Sequence, residues 1–147
     1  MIDGPDLAGS DTLGDGDCVT LIFPARGDLV VLARLVASAI STRVGFDIEE
    51  LEDLRLAVGE LCLLALQGSD ARHGDLRLEF TVSPASLDIA CTLAGAAPAR
   101  GAPNADGPAA DELSEQILAA LVDEHGRERQ DGLVRAWLRK RRKGPLA

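Results

Sequence analysis

Apolar residues recur along this chain at two different periods, and the switches between them divide it into elements. In CVTLIFPA (18–25), Val19, Leu21 and Phe23 alternate with Thr20 and Ile22. That period of two marks a strand with one face more buried, and Pro24 closes it. The next segment, GDLVVLARLVASAISTRVG, turns to a helical period, with Leu29, Leu32, Leu35, Val36, Ala39 and Ile40 recurring at helical spacing. Asp28 is expected to cap this helix and Gly45 to stop it. Arg26-Gly27-Asp28 also spells an integrin-binding triplet, but turn and cap explain Gly27 and Asp28 better. In FDIEE (46–50), Asp47 is an N-cap with Glu50 three residues on, a variant of the capping box, and Phe46 and Leu51 hold the two staple positions. The helix that starts there runs to about Gln67. Its first half is amphipathic, and its second half is apolar almost all round, so it should be heavily buried.

After a polar turn, GSDARHGD, with a solvated His73, two strands follow. DLRLEFTV (75–82) alternates Leu76, Leu78, Phe80 and Val82 against Arg77, Glu79 and Thr81, and SLDIACTL (86–93) places Leu87, Ile89, Cys91 and Leu93 on one face. The short spacer between them suits a hairpin. Residues 94–110, rich in Ala, Gly and Pro, read as a long loop. DELSEQILAALVDEHG (111–126) reads as a third helix with His125 near its C-terminus, and GLVRAWLRKRR as a last strand. The basic run RKRRK (139–143) reads as a solvated tail, with an acidic partner or the acidic N-terminus as other takers. The order β-α-α-β-β-loop-α-β gives an α+β fold: a two-layer sandwich with a mostly antiparallel sheet and its helices on one face.

Composition narrows the function classes. A chain of 147 residues suits one domain. Aromatic residues make up only 3%, so the core is built from Leu, Val, Ile and Ala. A net charge of −9 argues against nucleic acid as a partner. Cys18, Cys62 and Cys91 are far apart and form no CxxC pair, so no zinc or other metal site is expected, and buried free thiols suit a reducing compartment. No stretch is long and apolar enough to span a membrane. The first 17 residues, acidic and Gly-rich, lack the features of a signal peptide and read as a disordered tail, so a cytoplasmic protein is expected. The domain is placed at 18–140, with a basic tail at 141–147.

One charge stands out. Glu60 lies inside LRLAVGELCLLALQ (54–67), an almost wholly apolar stretch. It is a charge at a helix edge reaching water or pairing with Arg34 or Arg55, a catalytic base, or a contact for a partner.

The strand, the ARLVASAISTRVG helix and the block FDIEELEDLRLAVGELCLLAL resemble the GHKL (histidine kinase-like) ATPase domain, and within it the short anti-sigma-factor serine kinases of bacteria. The resemblance covers about 18–140. It implies a motif E-x-x-x-N-A-x-x-H on the long helix, whose Glu is the general base and whose Asn ligates magnesium. Here these positions hold Glu60, Leu64, Ala65 and Gly68. A second motif, D-x-G-x-G, would receive adenine. Here it reads LAGAA, with Leu93 for the Asp, Gly95 kept as the cofactor-binding candidate, and Ala97 for the second Gly. The Gly-rich phosphate turn is reduced to Gly107-Pro108, and Pro has no N–H to offer a phosphate. Leucine gives neither magnesium nor adenine a partner. The resemblance therefore implies a pseudokinase-like regulator of transcription that works by protein binding. No cofactor is expected, Glu60 is vestigial, and 94–110 is a degenerate ATP lid. Its partners would be a sigma factor, an anti-anti-sigma protein of the STAS type, or both, and a homodimer is in keeping with the family. An active serine protein kinase using ATP and Mg, with Glu60 as base, is the alternative. A structural subunit of a signalling assembly is a third reading.

Overall fold

The computed structural model describes residues 13–14, 16–67, 74–94, 107–130 and 133–143, with backbone alone at 107–111, 130 and 133. Strand β1 (Cys18–Pro24) leads through a short 3-10 turn (Gly27–Leu29) into helix α1 (Val30–Val44), and helix α2 (Ile48–Leu66) follows. Strands β2 (Asp75–Ser83) and β3 (Ser86–Ala94) form the hairpin. Helix α3 (Gly107–Leu121) precedes strands β4 (Glu124–Gln130) and β5 (Leu133–Arg141). The five strands make one antiparallel sheet in the order β1-β2-β3-β5-β4.

The alternation along β2 and β3 puts their large apolar side chains on one face. Leu76 lies opposite Leu93, Leu78 opposite Cys91, Phe80 opposite Ile89 and Val82 opposite Leu87, and all eight are buried. The helices cover that face: α1 packs over β2, α2 over β3 and β5, and α3 beside α2 and β4. From α2, Leu54, Leu61, Leu64 and Ala65 enter the same core, as the apolar second half of that helix requires. Each such leucine, fully buried, contributes about 2 kcal/mol of transfer free energy.

The capping box on α2 forms as the sequence suggests. The Glu50 amide donates to Asp47 Oδ1 at 2.7 Å, and the Asp47 amide to Glu50 Oε1 at 2.9 Å. Gly45 ends α1 with a φ of 86°, the left-handed conformation that suits glycine, and its amide caps Ser41 and Thr42.

Several expectations are corrected. Asp28 does not cap α1: it lies in the 3-10 turn, and its carboxylate pairs with Arg26 at 2.9 Å. The third helix stops at Leu121, and residues 124–130 form β4, so His125 sits in a strand opposite Leu138. Residues 107–110 belong to α3 and not to a loop. The N-terminal stretch is not wholly a tail, because Leu13 packs against the core and the Gly16 amide donates to the Val82 carbonyl at 2.8 Å. The rest of that stretch (1–12 and 15) and His73 lie outside the described residues.

The basic run is no solvated tail either. Residues 139–141 are in β5, and each member of the run has a partner. Arg139 pairs with Asp88 at 2.8 Å. Lys140 is buried against Asp53 and the Leu121 carbonyl. Arg141 pairs with Glu124 at 2.7 Å. Arg142 donates to the Val44 carbonyl at 2.7 Å, and the Lys143 amide to Glu50 Oε2 at 2.6 Å.

Candidate functional site

Helix α2 carries Leu56, Glu60 and Leu63 along one side, at spacings of four and three residues. Leu56 and Leu63 are exposed, 57% and 44%, and Glu60 between them is half-buried. The Ser114 hydroxyl of α3 donates to Glu60 Oε1 at 3.1 Å, and Ser114 is itself buried. Neither arginine offered as a partner for Glu60 takes that place. Arg55 pairs with Glu52 at 3.1 Å. Arg34 lies across α2 at Gly59, where an added Cβ would stand 2.6 Å from its guanidinium.

One turn beyond Glu60, Leu64 lies about 40° further round the helix, on the side turned to the core, and is 1% exposed. Leu93, at the end of β3, is fully buried. Both belong to the central core. Gly95 and Gly68 lie outside the described residues. Gly107 and Pro108 open α3, where the missing N–H of Pro is tolerated because the first helical amides have no intrahelical acceptor. Among the described residues no group of three or more His, Cys, Asp or Glu could hold a metal ion.

The histidine kinase-like ATPase domain model matches residues 23–138. The chain belongs to that family. Curated relatives include the serine-protein kinases RsbW of Bacillus pumilus, 35% identical over 77 residues, and of Bacillus subtilis, 30% identical over 77 residues. These alignments take 50% and 51% of this chain and 48% of each relative, so the chain spans about half the length of the curated relatives it matches. The solved RsbU and RsbW domains of a Mycobacterium tuberculosis protein overlay with a TM-score of 0.63 at 17% identity, over 88% of this chain and 33% of that one. At that identity the likeness is one of fold.

For a histidine kinase-like domain, the decisive positions are those that would meet nucleotide and magnesium. The chain does not supply their chemistry: Leu64 and Leu93 are carbon-only side chains buried in the core, with no oxygen for a hard cation or an adenine amine. The residues present therefore do not fit a magnesium nucleotide held in the family's way. Glu60, which the resemblance offers as a general base, is half-buried and is joined to α3 through Ser114. No local pattern marks Ser114, whose role depends on how α3 packs on α2.

On the opposite face of the sheet, which no described helix covers, lies a concavity of about 420 Å³. Trp137, Arg135, Arg139, Asp88, Glu79 and Glu128 line it. The alternation of β5 already placed Trp137 and its flanking arginines on one face, which is the signal that could have found it.

Proposed function

We propose that this histidine kinase-like domain is a regulator of the anti-sigma-factor kind that works by binding other proteins and does not use ATP. The observation that supports this reading is the burial of Leu64 and Leu93 in one core, at the positions where magnesium and adenine would need polar partners. Leaving such a ligand group unpaired costs on the order of 1–3 kcal/mol each time. The partners are a sigma factor, a STAS-type antagonist, or both, and the setting is the cytoplasm. Glu60 serves structure here, holding Ser114 of α3.

The second reading, an active serine protein kinase, draws on one observation: Glu60 remains half-exposed and is held by a single hydroxyl. Calorimetric titration of ATP and ADP, with and without magnesium, separates the two. The expected result is no heat and no change in melting temperature at millimolar nucleotide. Saturable, magnesium-dependent binding that Glu60→Ala weakens would establish the kinase and overturn the proposal.

A further inference from the structure

A row of four residues crosses the sheet face turned away from the helices. Glu79 of β2 lies opposite Ala90 of β3, Ala90 opposite Trp137 of β5, and Trp137 opposite Gly126 of β4. Neighbouring strands stand about 4.8 Å apart, so the side chains of Glu79 and Trp137 rise about 10 Å from each other, with only a methyl group between them. The indole leans away from that gap, over Gly126, where an added Cβ would meet it at 2.8 Å. The gap forms the floor of the concavity of about 420 Å³. Ala90 is only 9% exposed although it points away from the core, because taller side chains stand round it.

The charges round this gap do not balance. Arg139 is held by the Asp88 carboxylate through two bonds, at 2.8 and 3.2 Å, and by Glu124 at 3.4 Å. Arg135 faces Glu128 across β5 and β4, at 3.9 Å. These pairs leave Glu79 as the carboxylate in excess. Its neighbour Arg77, two residues along β2, does not line the concavity. It stands 3.9 Å from Glu79, and both side chains are about half exposed, so water screens the pair. An anionic guest would have to displace Asp88 from Arg139 or meet the carboxylates of the lining. A cationic guest meets a free carboxylate on one side and an aromatic ring on the other.

We propose that this concavity receives an arginine side chain of a partner protein, its guanidinium set over Ala90 between the Glu79 carboxylate and the Trp137 indole. A guanidinium is planar and weakly hydrated. It stacks on an aromatic ring while its forked N–H groups bond a carboxylate, which the compact, strongly hydrated ammonium of lysine does less well. The small floor at Ala90 lets it lie between the two. The net charge of −9 draws a basic segment toward the chain. The concavity is on the other side of the sheet from Glu60 and Ser114, so the proposal holds whether or not nucleotide binds.

Trp137 is the single tryptophan, and its fluorescence therefore reads this site directly. The probe is the peptide acetyl-Gly-Arg-Gly-amide, titrated into the full chain beside versions with lysine, citrulline or glutamate in place of the arginine. The arginine peptide is expected to give a saturable change in the millimolar range. The lysine peptide should bind more weakly. Citrulline, which keeps the shape and loses the charge, and glutamate should give no saturable change. Glu79→Gln removes the charge at constant shape and should weaken the arginine peptide by about fivefold or more. Ala90→Val raises the floor, should weaken it likewise, and is the second variant should the first fail to fold. Glu52→Gln removes an equal charge from α2, on the helical side, and leaves the titration unchanged. No saturable response to arginine, an equal response to citrulline, binding that survives both Glu79→Gln and Ala90→Val, or an equal loss with Glu52→Gln would overturn the proposal. A preference for glutamate would overturn it too, and would assign the concavity to an anion held by Arg135 and Arg139.

Discussion

Lys140 is a charged residue on the inward side of a strand, where Val134, Ala136 and Leu138 precede it. Its ammonium donates to the Leu121 carbonyl at 2.7 Å and to Asp53 at 3.3 Å, and its side chain is 7% exposed. It satisfies the last turn of α3, whose carbonyls have no intrahelical donor. Lys140→Ala leaves that carbonyl and a half-buried carboxylate without it, and is expected to cost about 2–3 kcal/mol in urea unfolding. Strand alternation carried one step past Leu138 would have placed Lys140 inside, but a run of five basic residues reads as surface. Cys91 is a second case. The Cys62 thiol hydrogen-bonded to it, then burial, push its pKa well above the usual cysteine range. The folded state thus keeps this proton at pH values where the unfolded chain has released it. Stability should be complete below about pH 8 and fall as pH rises above the unfolded thiol's value of about 8.5. Cys91→Ala should flatten that alkaline decline in thermal melts taken between neutral and high pH.

At the scale of elements, the legible parts were those whose signals are local. The capping box at Asp47 and Glu50, the glycine stop at Gly45 and the β2–β3 hairpin all depend on residues close in sequence. Strand β4 was missed because its pattern is that of an edge. Among the described residues it pairs on one side only, with β5, and its residues are mostly charged, so no apolar alternation marks it. The helical period of α3 runs smoothly into it, and the break is tertiary: the Arg141 amide donates to the Asp123 carboxylate at 2.6 Å, and the Asp123 amide to the Arg139 carbonyl at 3.0 Å. Gly126 in β4 lies opposite Trp137, whose indole rests where a side chain would be, 2.8 Å from an added Cβ. Gly126→Ala must displace the ring. Because Trp137 is the single tryptophan, its fluorescence maximum should move to longer wavelength as the ring loses its seat.

For the molecule as a whole, the α+β sandwich with its helices on one face could be read from alternation and helical period alone. The apolar character of positions 64 and 93 could be read too, since each leucine belongs to an apolar run. The bond from Ser114 to Glu60 could not, because it joins residues 54 positions apart through the packing of α3 on α2. The strand order was equally hidden. Strand β5 sits between β3 and β4, although it is the last of the five in the chain. That order has a kinetic consequence. During synthesis β1, β2 and β3 can pair as soon as they emerge, but β4 has no neighbour until β5 follows it. Until then β3, with Leu87, Ile89 and Leu93 on its apolar face, offers an open edge to any strand nearby. Slow arrival of residues 133–141 would therefore favour misassociation of nascent chains, and a variant that delays the β3–β5 pairing should aggregate during expression even where its finished fold is stable.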